Sequence, residues 1–236
     1  MLVLTYLNQK VPIDMTSPVL TRTHSVRMPA ENRRLQIVAV AAELFSQKGF
    51  SGTTTKEIAD HAGVSEAIIF RHFATKDDLY RAILDYKVKQ ATERMKKDLN
   101  EAASRKDDDA YFGSLAYDML EFHTKDRTFM RLLLFSALEG HDLSEIFFNS
   151  TARDMRNHIR RYIKQRIADG AFRRVDTALA ARAFVGMVLN QAQVRNIFHD
   201  DDLKLSNRQM ADKFVDLFLA GIRNPRDNGR DSEPTK

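Results

Sequence analysis

The sequence predicts an all-α protein in which an N-terminal three-helix unit with a helix-turn-helix is linked by a long helix to a C-terminal helical domain. Three observations predict it. The hydrophobic fraction of 43% supports a real core, and long charged helix formers accompany it. Gly (9) and Pro (5) are too few for many strands and tight turns. From Pro29 onward, apolar residues recur at three- and four-residue steps between capping signals and glycine stops.

Taken in order, residues 1–29 show no periodicity and carry Pro12, Pro18 and Pro29, so they are read as a disordered arm. Leu35, Val38, Ala41, Ala42 and Phe45 then mark a first helix that stops at Gly49. Thr54 and Glu57 have capping-box spacing and Gly63 sits where a helix must end, which predicts a short second helix and a tight turn. Ser65 caps a third helix whose Ile69 and Phe73 point inward, and Thr75 with Asp78 opens a fourth. Leu79, Ile83, Tyr86 and Gln90 carry that fourth helix from Lys76 to about Leu99. After the charged break at 105–109, amphipathic segments follow near 110–123, 126–139, 142–169, 176–198 and 206–223. Residues 225–236 are read as a disordered tail, so the expected units are 31–91 and 92–224.

The net charge of +5 and pI near 9.4 are compatible with a polyanionic partner but decide nothing alone. Absence of Cys excludes a disulfide framework, a thiolate zinc site and a Cys nucleophile, and fits a cytoplasmic location. No run of about 18 apolar residues predicts a membrane span, and the apolar start Met1–Leu7 lacks the basic flank of a signal peptide. No G-x-S-x-G, P-loop, H-E-x-x-H or Gly-rich dinucleotide turn is present, so neither catalysis nor a cofactor is expected. His199-Asp200-Asp201-Asp202 has metal-ligand residue types, but consecutive positions point apart, and a solvated loop rather than a metal site is expected.

Two short helices joined around Ala62-Gly63-Val64 form the unit that sets a second helix into a DNA major groove, although the bare pattern also occurs in proteins that never touch DNA. Gly49-Phe50, Thr53-Thr54, Ile58-Ala59, Ala62-Gly63-Val64-Ser65, Phe70-Arg71-His72-Phe73 and Lys76-Asp77-Asp78-Leu79 follow one another as in the DNA-binding signature of the TetR family. Arg34, Ile37, Ala41-Ala42 and Leu44-Phe45 match that family's first helix, so the chain resembles TetR-family regulators closely over 31–91 and in architecture beyond. The resemblance implies a repressor bound to double-stranded operator DNA. It places Thr53, Thr54, Thr55, Ser65, Glu66, Ala67, Ile68, Phe70, Arg71, His72 and Lys76 at that DNA. Helix N-termini present unpaired N–H groups and a positive dipole end, so the second and fourth helices suit phosphates, with Thr hydroxyls and Lys76 adding contacts.

Arg71 has two readings, a guanine or phosphate contact and a solvated surface charge. Three positions depart from the usual pattern: Phe70 stands where Tyr is common, Ala67 where Gly is common, and Glu66 adds an anion to the recognition helix. They put the operator's identity in question but not the docking mode. The arm likewise keeps two readings, an over-long gene start with Met28 as the true start, or an arm whose Arg22 and Arg27 touch DNA.

In the C-terminal half, Ala183, Gly186 and Asn190 share one helix face, while Phe214, Leu217, Phe218 and Gly221 stripe the last helix. Pattern alone allows intramolecular core or an interface between copies, and the family resemblance implies a homodimer through these helices. It also implies a small-molecule effector, for which Met119, Phe122, Met130, Phe147 and Met155 supply an apolar lining, with Tyr111, Leu115, Phe129 and Leu133 beside them. His123, His158, Asn190 and Gln191 are the polar residues on apolar faces that could orient it. Two other classes stay open at this level: a helical scaffolding dimer without operator recognition, and a helical enzyme of no recognisable motif.

Overall fold

A computed structural model of the chain describes residues 28–225, and over 90–98 the backbone alone. Apart from Met28, Pro29 and Pro225, the expected arm and tail lie outside the described residues. The described part is helical, with α1 (Ala30–Lys48), α2 (Thr55–Ala62), α3 (Glu66–His72), α4 (Lys76–Ser104) and α5 (Asp108–Lys125) followed by α6 (Thr128–Leu138), α7 (Asp142–Asn149), α8 (Thr151–Ala168), α9 (Thr177–Ile197) and α10 (Asn207–Ile222). Pairing of extended backbone among the described residues is limited to one isolated bridge, between Phe172 and Arg223.

Local signals set most boundaries. Gly63 takes φ 64° and ψ 37°, a left-handed conformation that an L side chain resists, and its N–H reaches back to α2 carbonyls. Gln36 on α1 donates to the Ala62 carbonyl at 3.2 Å and pins that turn to the first helix. At the start of α4 the Thr75 hydroxyl accepts from the Asp78 N–H while the Asp78 carboxylate accepts from the Thr75 N–H, both at 3.0 Å. Ser206 and Gln209 repeat this box on α10.

One expected segment is divided. Residues 142–169, read from sequence as a single helix, form α7 and α8, with Ser150 between them at φ −117° and ψ −91°. The Ser150 hydroxyl bonds back to the Ile146 carbonyl at 2.6 Å, a side-chain competitor for the helical ladder that periodicity does not register.

Two cores result. The larger is built by α4, α5, α8, α9 and α10 around Phe112, Phe184 and Phe218. The smaller packs α1–α4 around Ile37, Phe45, Ile58, Ile69 and Tyr80, and it extends into Phe129 and Leu132 of α6 and Leu143 of α7. Because Met130 of α6 belongs to the larger core, α6 is a wall shared by both. The expected division near residue 91 therefore runs through interlocked helices.

Candidate DNA-binding surface and effector cavity

The recognition helix α3 is short because Ser65 starts it and Phe73 turns extended at its end, with Ile69 and Phe73 buried against α1 and α2. Its outer face shows Ser65, Glu66, Ala67, Phe70 and Arg71 exposed, with Ile68 and His72 half-buried. Phe70 is 48% exposed, a large aromatic on an outer face that apolar packing within the chain leaves uncovered. The Glu66 carboxylate accepts a hydrogen bond from the Thr55 hydroxyl, which draws the anion toward the start of α2. Thr54 caps α2 by accepting from the Glu57 N–H at 3.1 Å and stays exposed.

One expected DNA contact is corrected, and a second is engaged within the free chain. Thr53 is fully buried, and its hydroxyl donates inward to the Gly49 carbonyl at 2.8 Å, so it locks the α1–α2 turn rather than facing a groove. Lys76 is folded back: its ammonium donates to the Phe50 carbonyl and lies 4.2 Å from the centre of the Phe50 ring. Burial under that ring pushes its pKa down, against the opposing pull of Glu139 and Asp77. In the free protein this cation is thus bonded within the chain, where sequence reading expected a phosphate.

Phe50 is the centre of a clamp that sequence reading missed. Its N–H donates to the Glu139 carboxylate at 2.8 Å, with the Ser51 N–H contributing at 3.4 Å. The ring packs on Tyr80 and on His141, with centroids at 5.1 and 4.4 Å. His141 in turn reaches Asp77 at 3.1 Å, and Arg81 pairs with Asp142 at 2.6 Å. Further along α6, Arg131 donates to the Ser46 carbonyl at 2.6 Å and the Leu132 carbonyl accepts from buried Tyr80 at 3.0 Å. Residues of α6, the α6–α7 turn and the start of α7 thereby hold the end of α1, the α1–α2 turn and the start of α4, which frame the helix-turn-helix.

Behind that junction a cavity of about 490 Å³ opens among α5, α6, α7, α8 and α9. Its walls are predominantly apolar, with charged groups among the lining, and Met119, Phe122, His123, Met130, Phe147 and Met155 line it as expected from sequence. Two expected lining residues do not. His158 is half-buried beside the Tyr111 ring at 6.0 Å, and Gln191 turns away on α9. The α9 face that lines the cavity is Val185, Leu189 and Gln193, at successive four-residue steps. That spacing was legible and Gln191 lies off it. Tyr111 and Leu115 are core, with Tyr111 stacked on Tyr162 at 3.8 Å.

His123 is 7% exposed in the cavity wall, and burial pushes its pKa down to about 4 against the opposing charge of Asp126. Burial alone would raise the Asp126 carboxyl, yet bonds from Lys87 and Thr128 outweigh it and hold the pKa low. Arg156 and Lys125 are the cations of the lining.

On the outside of the larger core, Leu179, Ala183, Gly186 and Asn190 are exposed along one face of α9, with Leu179 at 65%. Leu217, at 68%, and Gly221 are exposed on α10, beside half-buried Phe214. Phe218, expected in the same stripe, points inward and packs on Phe112 and Phe184, both at 5.0 Å, because its position faces α5 and α9.

A helix-turn-helix clamped to an all-helical domain that carries an apolar cavity is the build of a DNA-binding regulator. The model for bacterial regulatory proteins of the tetR family matches residues 37–83, and the C-terminal domain model of AefR-like transcriptional repressors matches 114–221. The HTH-type regulator YvkB of Bacillus subtilis is 28% identical over 208 residues, 83% of this chain and 98% of its own. The transcriptional activator FasR of Mycolicibacterium smegmatis is 41% identical over 58 residues, which are 25% of this chain and only 26% of FasR. Among solved structures, the regulator FadR of Bacillus subtilis in complex with stearoyl-CoA has the same fold, with a TM-score of 0.67 at 20% identity over 80% of this chain and 98% of that one. The chain belongs to the TetR family of transcriptional regulators. Members of that family are DNA-binding regulators and not enzymes.

Proposed function

We propose that this protein is a homodimeric repressor that holds a near-palindromic operator through paired α3 helices and releases it when a small, largely apolar effector fills the cavity. The observation that carries this reading is the continuity of α6. Met130, Leu133, Leu134 and Ala137 line the cavity, and two residues beyond Ala137 the Glu139 carboxylate holds the backbone of the α1–α2 turn. An occupant that shifts α6 therefore also shifts the helix-turn-helix. Two recognition helices at a fixed separation tolerate little such movement, since half-sites must lie about one helical turn, roughly 34–36 Å, or somewhat more apart.

Energetically, the effector needs only a higher affinity for the DNA-incompetent state. A coupling of about 1–3 kcal/mol gives a 5- to 150-fold loss of operator affinity, and operator DNA must weaken effector binding equally. The repressor description of the matching C-terminal domain supports the sign, and the stearoyl-CoA complex of FadR supports a lipophilic occupant. FasR, an activator by name, is the counterexample within the family. The test is a gel-shift titration on the DNA flanking the gene, repeated with a panel of aromatic, lipophilic and acylated compounds and followed by transcription in vitro. Compounds that bind the protein tightly yet leave the shift unchanged would overturn the release mechanism, and DNA-dependent stimulation of transcription would overturn repression.

A further inference from the structure

Among the described residues, three buried side-chain polar atoms have no hydrogen-bond partner: Tyr111 Oη, His123 Nδ1 and Asn196 Oδ1. Of the three residues, His123 alone lines the cavity. A buried polar atom left unsatisfied costs stability, and a phenylalanine of nearly the same shape would remove that cost without opening a void. The ring is held between aromatic neighbours, with Phe122 at 5.2 Å and Phe129 at 6.4 Å between centroids, so the imidazole is positioned rather than loose.

The charged groups of the wall are already engaged. Lys125 pairs with Glu121 at 2.8 Å, Asp126 takes Lys87 and Thr128, and Arg156 donates to the Phe148 carbonyl at 3.3 Å. Among the described residues of the lining, the one buried side-chain polar atom without a hydrogen-bond partner is the imidazole Nδ1. We propose that His123 is the hydrogen-bonding anchor of the cavity, and that the effector presents to it an uncharged oxygen, a carbonyl or a hydroxyl, on an otherwise apolar body. The inference rests on the reading of the cavity as the effector site.

Why uncharged follows from the surroundings. Burial keeps the imidazole neutral near pH 7, so it supplies a dipole and no countercharge, and a carboxylate beside it would be a desolvated, unpaired anion. A neutral imidazole nitrogen can either donate to a carbonyl or accept from a hydroxyl, according to its tautomer. Because χ2 of histidine is a soft, broad torsion, an occupant can draw Nδ1 to itself by a small turn of the ring.

Four probes of one shape test this on the full-length protein: naphthalene, 2-naphthol, 2-acetylnaphthalene and 2-naphthoate, titrated by fluorescence against wild type, His123→Phe, His123→Leu and His123→Asn. For wild type, 2-naphthol or 2-acetylnaphthalene should bind about 5- to 10-fold tighter than naphthalene, the worth of one satisfied hydrogen bond. The preference should vanish in His123→Phe and His123→Leu with naphthalene affinity kept, and return in His123→Asn, whose amide stands near the Nδ1 position. A merely structural role for His123 would move all four affinities together.

No preference in wild type, a preference surviving in both apolar variants, or 2-naphthoate binding tightest would each overturn the anchor while leaving the cavity reading intact. Failure of all four probes to bind wild type that still shifts DNA would instead overturn the cavity reading, and the anchor with it. The wild-type comparison decides even where a variant does not fold.

Discussion

Glu139 and Phe50 stand 89 positions apart, yet the Glu139 carboxylate accepts the Phe50 N–H at 2.8 Å. Lys76 takes the carbonyl of the same residue, so the two peptide groups that flank Phe50 in the α1–α2 turn are held, one from the end of α6 and the other from α4. Both partners are ionic, which makes these bonds stronger than neutral ones. Glu139→Ala should therefore speed amide exchange at Phe50 and Ser51 and lower stability by about 1 kcal/mol, the exposed carboxylate limiting the loss. The same variant should bind apolar ligands normally while its operator affinity responds less to them. Exchange measured by NMR and gel shifts with and without ligand check both parts.

Gly49 borders that contact in a conformation reserved for glycine, at φ 75°. A Cβ there would sit 2.2 Å from a Glu139 carboxylate oxygen and 3.1 Å from the Phe135 ring. Gly49→Ala is expected to cost about 1–3 kcal/mol through the positive-φ, extended backbone alone, which is essentially reserved for glycine, and to displace Glu139 as well. Thermal denaturation of Gly49→Ala, Glu139→Ala and the double variant should show losses that do not add, since both act on one contact.

Arg71 is exposed on the outer face of α3. If it reads a base, Arg71→Ala should lose about 1–3 kcal/mol on the operator and little on random DNA. Equal losses on both, with the salt dependence flattened by about one unit of slope, would assign it to a phosphate.

His123 links stability to pH. Its pKa is pushed down to about 4 in the folded chain, against about 6.5 for the free side chain. As pH falls below 6.5 the unfolded chain takes up the proton first, so folding loses stability between about pH 6.5 and 4, by up to roughly 1.4 kcal/mol per unit. Above that window the group is neutral in both states and contributes no slope. Denaturant midpoints at pH 7 and pH 4.5 should converge for His123→Phe relative to wild type, and an identical pH slope in the two proteins would exclude His123 as the source.

The apolar stripe on α9 and α10 should join two copies. Leu179 and Leu217 are 65% and 68% exposed, and a Cβ at Gly186 or Gly221 would meet nothing within 4 Å, so the surface is open to a close partner. Sedimentation should give a dimer for wild type and a monomer for Gly186→Phe or Leu179→Glu. A wild-type monomer at micromolar concentration would overturn this.

What the sequence by itself determined is local. Capping signals at Thr54 and Thr75, the stops at Gly49 and Gly63 and the three- and four-residue periodicity act within one helical turn, so most of the helices were legible, as was the apolar set around Met119, Phe122 and Met130. Tertiary structure decided whatever depends on a neighbour distant in sequence. Thr53 differs from Thr54 by one position, yet it is buried against the end of α1, where its hydroxyl also reaches the Leu44 carbonyl at 3.4 Å. Lys76 is claimed by Phe50, and Phe218 by Phe112 and Phe184. The grip of Glu139 on the α1–α2 turn has the same origin. Each depends on where helices converge or part in space, and the chemistry of a residue type does not encode which distant backbone group it will meet.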